Sequence, residues 1–369
     1  MDIEKIEKGI EKTGFRLEFD ISNILVKNGW NVINNKYYVD DQQEVVREID
    51  IVAYKANLVH DIYVYTALIL SCKKSEQNAW ALLSKESNHS DPNIEWVPVH
   101  AWSNDRVLSY MLDEPDWKEF YLSILKQKKA NIVTGKPERH IFGFQEMNKV
   151  SGSPQNDKNI FNSVNSVMKA QAYEMNALPL RKKDSCVFQF NLLSVAQTDL
   201  VRLDFEKNIA KGFAIDDEIY VAGYILDKQQ TFAKVHFVRA DRFEKIIQQY
   251  NNLHNANKMA FGKIHEKFCS EITRDAKKLN FFKDDVADDI WWSLYSLIEE
   301  PSKVNKLLKE GHMHWNKQES TIEFQVDLHE SEVATMNEGK EAREELSEAL
   351  RKYYKYEGKS KFEVFEIPF

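Results

Sequence analysis

Charged residues end two neighbouring apolar segments near the amino terminus of this chain. Residues 47–53 read REIDIVA and include Asp50, and residues 67–74 read ALILSCKK and end in Lys73 and Lys74. A carboxylate at Asp50 can hold a hard divalent cation, because such ions prefer oxygen ligands. The cation polarises a phosphoryl oxygen and lowers the pKa of a bound water, and a lysine can orient that water or offset the charge that develops on phosphorus. The two segments therefore carry a minimal set of groups for metal-assisted cleavage of a phosphodiester.

The spacing of these residues predicts strands that share one cleft. In a strand, residues two apart lie on the same face, which groups Glu48 with Asp50 and Ser71 with Lys73. Neighbouring strands could therefore point all four side chains into a common cleft. The pattern predicts a helix over 3–29, strands over 30–40, 45–55 and 61–72, a helix over 76–87, a strand over 95–102, and helices over 103–112 and 116–130.

This order of a helix, three strands, a helix and a further strand accompanies the two charged motifs. In this combination, residues 10–125 resemble the restriction-endonuclease-like superfamily, the nucleases written PD-(D/E)XK. The resemblance implies an α/β fold in which a mixed sheet is flanked by helices. It implies catalytic roles for Asp50, as a metal ligand, and for Lys73. It also matches Glu18 to the acidic residue that many members contribute from their first helix.

The second motif departs from the family pattern at one position. Ser71 stands where the family usually has an aspartate or a glutamate, and a serine is a poor ligand for magnesium. Some restriction enzymes with a serine at this place take the carboxylate from the following helix, and Glu86, with twelve residues between it and Lys73, matches that spacing. Glu48 is a second substitute and needs no rearrangement. Both alternatives stay open, so the predicted metal ligands are Asp50, Glu86 and Glu48.

The resemblance implies functions of two different classes. One is a Mg²⁺- or Mn²⁺-dependent endonuclease that acts on DNA, with a role in restriction or phage defence. The other is a catalytically inactive nuclease-fold subunit that binds nucleic acid or serves as a scaffold, because loss of the acid at position 71 would end cleavage. The sequence does not separate DNA from RNA, since the metal site acts on phosphate. Many relatives of this fold work as dimers, which makes a homodimer, or a partner subunit in a defence system, an expectation of the same kind.

The balance of charge limits how the chain could bind nucleic acid. The 50 Lys and Arg residues are outnumbered by 58 Asp and Glu residues, which gives a net charge of −8. A dedicated nonspecific nucleic-acid-binding protein normally carries a basic excess, so phosphate contacts must come from local clusters. We expect such contacts from Lys74, Lys128 and Lys129. The run at 181–183 is a further basic cluster, although such runs are more often solvated surface.

Cysteine usage and hydropathy indicate the compartment. The three cysteines, Cys72, Cys186 and Cys269, are widely spaced and suggest neither a disulfide framework nor a zinc ribbon. The first twelve residues are charged and lack the apolar core of a signal peptide. No apolar run approaches the length needed to span a bilayer. These features favour a soluble, cytoplasmic protein without membrane contact, in which Cys72 is a buried packing residue.

Length and composition predict several domains. At 369 residues the chain can form two or three domains with sizeable cores. Glycine, proline and polar residues cluster around 131–158, which predicts a linker or a mobile loop. The strands after it would either add to the first sheet or form a companion layer. The predicted domains are 1–130, restriction-endonuclease-like; 131–158, linker or mobile loop; 159–255, a second α/β unit; and 256–369, a helical region with C-terminal α+β elements.

Two further pairs of residues have a functional and a structural interpretation. Trp291 and Trp292 could stack on bases, but an apolar helix around them favours the core. His312 and His314 have the alternate spacing of a metal pair, yet no third ligand is recognisable nearby. We therefore expect both histidines in a loop or on the surface.

Overall fold

The computed structural model divides into two compact units, Met1–Ile264 and His265–Phe369. Both units combine helices with β-sheet, so the predicted α/β class with an additional α+β carboxyl-terminal region is confirmed. The structure describes residues 2–40, 45–207, 209–226, 229–298 and 300–365.

Two sheets build the first unit. Seven of its described strands form the larger sheet, and four form the smaller one. The strands are β1 (Asn31–Asp40), β2 (Val45–Val59), β3 (Ile62–Lys74), β4 (Asn78–Glu86), β5 (His100–Ser103), β6 (Arg139–Asn148), β7 (Cys186–Gln197), β8 (Leu200–Glu206), β9 (Ile209–Ile215), β10 (Asp217–Leu226) and β11 (Gln229–Arg239).

The larger sheet has the strand order β1-β2-β3-β7-β11-β10, with β5 beside one end of β7. Strands β1, β2 and β3 form an antiparallel meander. Strand β7 then pairs in parallel with β3 over its whole length, from Tyr63↔Cys186 to Lys74↔Gln197. The central position of β7 explains its almost continuous burial, because a strand with neighbours on both sides and helices on both faces has little exposed surface.

The smaller sheet, in the order β6-β4-β8-β9, continues from the larger one. Strand β4 follows β3 and β8 follows β7, and β4 and β8 are again parallel. The predicted helix over 76–87 is therefore wrong. Its run of small and apolar residues (Ala79–Leu83) fits a buried strand as well as a helix, and pairing with both β6 and β8 decides between them. The strand predicted over 95–102 is shorter than expected and covers His100–Ser103.

Helices cover both faces of the larger sheet. Apolar residues of α6 pack on one face, where the Ser163 and Ser194 hydroxyls lie 2.9 Å apart. On the other face, Asn257 of α7 donates hydrogen bonds to Thr66 and Gln189. The first-unit helices are α1 (Ile3–Ile10), α2 (Gly14–Lys27), α3 (Arg106–Asp113), α4 (Trp117–Gln127), α5 (Asn131–Thr134), α6 (Lys158–Arg181) and α7 (Phe243–Glu271), the last of which runs on beyond Ile264.

Two sequence-based boundaries change in the structure. The helix predicted over 3–29 is two helices, because the backbone is extended at Thr13, the residue that immediately precedes α2. The segment 131–158, predicted as a linker or mobile loop, contains α5 and β6. Three strands of the predicted second unit, 159–255, add to the larger sheet, which is one of the two arrangements that the sequence allows; these strands are β7, β10 and β11.

The second unit contains a three-stranded sheet in which β13 pairs with both neighbours. His312 and His314 lie exposed on its first strand, so they form a strand and not a loop. Trp292 is 72% exposed, and its predicted place in the core is wrong. The elements are α8 (Ala276–Leu279), α9 (Lys283–Leu297), α10 (Pro301–Glu310), β12 (His312–Asn316), β13 (Thr321–Val326), α11 (Glu330–Glu338), α12 (Lys340–Tyr354) and β14 (Lys359–Val364).

No helix in the described part of the chain has the length and apolar character needed to cross a membrane.

Candidate active site

The candidate site lies where β2 and β3 separate. The ladder between these strands ends at the pair Ile51↔Leu70. Beyond it, β2 continues beside β1, whereas β3 continues beside β7 as far as Lys74. The next residue of β2 is Asp50 and the next residue of β3 is Ser71, so both lie at the fork between the two strands.

The pairing of β2 with β1 is also irregular at this point. The register passes from Asn34↔Ile51 to Lys36↔Ile49 and omits Asn35 and Asp50. Asn35 has φ of 51°, a conformation that asparagine tolerates better than most residues. Its side-chain amide donates a hydrogen bond to Glu48. The polypeptide at Asp50 is thus released from regular pairing on both sides.

Three donors converge on one carboxylate oxygen of Asp50. Its Oδ2 accepts hydrogen bonds from the Ser71 hydroxyl at 3.1 Å, the Cys72 backbone N–H at 2.5 Å and the Lys73 ammonium at 3.3 Å. The Asp50 and Lys73 side chains are 19% and 30% exposed, so the ion pair is reachable from solvent. These bonds hold the carboxylate at the fork and place the Lys73 ammonium beside it.

Glu18 is electrostatically coupled to this group. Leu17, Ile21 and Leu25 form the buried stripe of α2, which places Glu18 beside the sheet. Burial, and then the negative charge of Asp50, raise the pKa of Glu18 to about 7, against the opposing effect of Lys73. A carboxyl group with this pKa can exchange its proton for a cation near neutral pH.

Glu86 is not part of this group, which corrects the prediction that it replaces the missing acid. It ends β4, where it pairs with Arg139 in the smaller sheet. The backbone N–H of Trp80 donates a hydrogen bond to the carbonyl of Asp199, just past β7, and the six residues from Trp80 to Glu86 span about 20 Å of strand. The helix that packs on β3 and β7 is α6, and its one acidic residue, Glu174, forms ion pairs with other residues of the first unit.

Glu48 lies nearer and remains the substitute that the structure allows. Its charge contributes to the raised pKa of Glu18, and its side chain is exposed. Cys72 is buried, as expected for a packing residue, and burial raises the pKa of its thiol.

The strand fork offers too few protein ligands to surround a divalent cation, so a bound cation would keep several water ligands. In the ranges that the structure describes, no three His, Cys, Asp or Glu side chains are placed together to hold a metal. Glu18 and Asp50 offer two carboxylates. Magnesium usually binds one or two carboxylates together with waters and substrate phosphates, whereas a structural zinc site needs four protein ligands. The donors therefore suit Mg²⁺ or Mn²⁺ in the presence of a phosphate group.

The lysines predicted to contact nucleic acid have different environments. The Lys74 ammonium bonds to the Glu11 carbonyl at 2.8 Å and pairs with Glu76. Lys128 and Lys129 are exposed after the end of α4. No contact in the described part of the chain links these two lysines to the strand fork.

Comparison with family models, curated proteins and solved structures finds no match to this chain. The geometry of the strand fork and the order of the elements around it are therefore the observations that bear on function.

Proposed function

We propose that the first unit is a divalent-cation-dependent phosphodiester hydrolase that acts on DNA as an endonuclease. The observation that carries the proposal is the ion pair of Asp50 and Lys73, 3.3 Å apart at a strand fork beside the Glu18 carboxyl. The element order supports it: α2, β1, β2 and β3 are followed, after an insertion that contains β4–β6 and α3–α5, by α6 and β7, and β3 and β7 are parallel. In this proposal α6 and β7 take the roles that the sequence pattern gives to 76–87 and 95–102, so that a helix, three strands, a helix and a further strand follow the order that the resemblance implies.

Each residue at the fork has a distinct role in this proposal. A bound Mg²⁺ or Mn²⁺ would polarise the scissile phosphate and activate a water. Asp50 and Glu18 provide carboxylate oxygens for that ion, and Glu48 is available as a further acid. Lys73, oriented by Asp50, hydrogen-bonds the attacking water or offsets negative charge on the phosphate oxygens.

The substrate and the biological role follow from the resemblance alone. DNA is the proposed substrate, and RNA is the comparison that the experiment must include. A role in restriction or phage defence, a cytoplasmic location, and assembly as a homodimer or with a partner subunit belong to the same proposal.

The second candidate function is an inactive nuclease-fold subunit that binds nucleic acid or serves as a scaffold. The observation that favours it is the Ser71 hydroxyl, which donates a hydrogen bond to Asp50 where an acid would share the cation. Because the Lys73 ammonium bonds to the same carboxylate oxygen, the negative charge of Asp50 is balanced without a metal ion.

Calorimetric titration with Mn²⁺ or Mg²⁺, in the presence of a short uncleavable DNA duplex, tests the proposal directly. Wild-type protein should bind the ion, and Asp50→Ala should abolish binding, because the substitution removes the central oxygen ligand. A matched Asp61→Ala variant, in the turn after β2, should bind like wild type. If wild-type protein binds neither Mg²⁺ nor Mn²⁺, whether DNA or RNA is present, the inactive scaffold is the favoured function.

Restoring the acid at position 71 should make stability depend on the divalent ion. Ser71 is buried and bonds to Asp50, so Ser71→Asp adds a second carboxylate at the same point. Without an ion, repulsion and burial should lower the free energy of unfolding by about 1–3 kcal/mol. Mn²⁺ should restore most of this loss, and thermal denaturation with and without the ion measures it. An equal loss in both conditions contradicts a cation site at the fork.

A further inference from the structure

A separate cavity of about 280 Å³ lies between the sheet and the carboxyl-terminal half of α6. Tyr65 of β3 lines it and precedes Lys73 by eight residues, which corresponds to about 26 Å of strand. Val52, which also lines the cavity, is two residues from Asp50, so the cavity extends from the Tyr65 end of the sheet toward the strand fork without including Asp50 or Lys73. Ligand pockets usually measure about 300–1,000 Å³, so this cavity is close to the lower limit for a small-molecule site.

Flat aromatic rings form one wall of the cavity. The rings of Tyr65 and Phe188 stack with centroids 4.1 Å apart and planes within 3°. Phe190 continues this arrangement, with its centroid 6.0 Å from that of Phe188 and an interplanar angle of 21°. Tyr54 adds a fourth ring from β2. Near-parallel rings on neighbouring strands favour a flat aromatic group, which can pack in offset stacking or edge-to-face contact.

The charged residues of the cavity carry a positive surplus. Lys36 and Arg181 share one oxygen of the buried Glu174, at 2.8 and 2.9 Å. The Lys182 ammonium lies 4.4 Å from the centre of the Tyr65 ring and 3.2 Å from its hydroxyl. No carboxylate among the described residues forms an ion pair with Lys182. Three cations and one carboxylate leave two positive charges, so the ligand should be anionic.

We propose that this cavity binds a nucleoside monophosphate, with the base against the aromatic wall and the phosphate at Lys182 and Arg181. A phosphate monoester carries about two negative charges at neutral pH, which matches the surplus, whereas a carboxylate carries one. Ring and phosphate together use both features of the cavity. The proposal is independent of the function assigned to the strand fork.

Isothermal titration with dAMP, without divalent ions, tests the proposal. Wild-type protein should bind dAMP at least about tenfold more tightly than deoxyadenosine, inorganic phosphate or benzoate. Deoxyadenosine lacks the phosphate, inorganic phosphate lacks the ring, and benzoate carries a single negative charge. Failure to bind dAMP at millimolar concentration overturns the proposal. Equal binding of benzoate overturns the nucleotide class, and equal binding of inorganic phosphate also overturns the proposal, because the aromatic wall would then have no role.

Matched variants assign the binding to this cavity. Lys182→Ala should weaken dAMP binding about tenfold or more, whereas Lys183→Ala removes the same charge from an exposed neighbour and should have little effect. Tyr65→Leu should weaken it through loss of the ring, whereas Tyr63→Leu on the same strand should not. Equal effects within either pair place the binding elsewhere and overturn the proposal. Asp50→Ala should bind dAMP like wild type, so a failure of the nuclease proposal leaves this test intact.

Discussion

Plasmid cleavage by the Asp50→Ala and Lys73→Ala proteins should fall at least about 100-fold below that of wild type in the presence of Mg²⁺ or Mn²⁺. Asp50 is expected to hold the ion and also fixes Lys73 through the 3.3 Å ion pair. The two variants should nevertheless differ in one respect. Lys73→Ala should retain ion binding, because it removes no oxygen ligand, whereas Asp50→Ala should lose both binding and cleavage. Supercoiled plasmid, linear phage DNA and a single-stranded RNA are the substrates to compare.

Glu18, near the amino-terminal end of α2, is the third residue whose substitution should affect cleavage. Glu18→Gln replaces the carboxylate by an amide of similar size, so it should reduce both ion affinity and cleavage. Glu86→Ala and Lys85→Ala are the matched controls, because both residues lie exposed near the end of β4 in the smaller sheet. Each control should cleave within about twofold of wild type, as expected of surface substitutions away from a site. If Glu86→Ala abolishes cleavage, the site is not the one at the strand fork; if Asp50→Ala retains full activity, the nuclease proposal fails.

Local sequence patterns predict the strands that carry Asp50 and Lys73 because those strands form an antiparallel meander. Residues of such neighbours are close in the chain, and their apolar runs are separated by short turns. The sequence therefore predicts both strands and the proximity of Asp50 to Lys73. It does not predict the strand fork, since the end of the ladder at Ile51↔Leu70 depends on pairing with a third and a fourth strand.

The partner of β3 could not be identified from local patterns. Lys73 pairs with Ala196, more than one hundred residues later, and two strands of the smaller sheet, β4 and β6, lie between β3 and β7 in sequence. The motif spacing led instead to 76–87 as the next helix and so to Glu86. A signal was present in the long helix at 158–181 followed by a continuously apolar strand, which is typical of a crossover to a buried parallel strand. The exposure of Trp292 is a different case, because helical periodicity does not reveal which face of α9 is covered.

The helix that covers the opposite face of the sheet brings an acid-sensitive residue into the first unit. His254 of α7 is buried, and its two ring nitrogens lie 3.0 Å from the Thr66 hydroxyl and 2.8 Å from the Asn57 side-chain oxygen. Asn257 donates a hydrogen bond to the same Thr66 hydroxyl, which is therefore free to donate its proton to His254 Nδ1. This arrangement suits a neutral imidazole that donates from Nε2 to Asn57. A second proton on the ring would require the Thr66 hydroxyl to turn its own proton away and to accept from Nδ1 as well as from Asn257.

Acidification should therefore destabilise the first unit through His254. Burial, with smaller contributions from the positive charges of Lys258 and Lys55, lowers the pKa of His254 from 6.5 to about 4. In the unfolded chain the imidazole takes up its proton at the higher value. Unfolding thus binds a proton between these two values, and the free energy of unfolding should fall by up to about 3 kcal/mol as the pH drops from 6.5 toward 4. Above pH 6.5 this contribution should be fully present.

The change in slope, and not the stability at one pH, identifies His254 as the cause. His254→Gln should lower stability at neutral pH, because it disturbs two buried hydrogen bonds, but it should also flatten the acid dependence in urea denaturation between about pH 7 and pH 4. Lys258→Gln should raise the pKa of His254 toward its ordinary value and weaken the acid dependence while both hydrogen bonds remain. If His254→Gln unfolds with the same pH slope as wild type, other groups govern the acid response. If Lys258→Gln steepens the slope, the positive charge of Lys258 does not lower the pKa of His254.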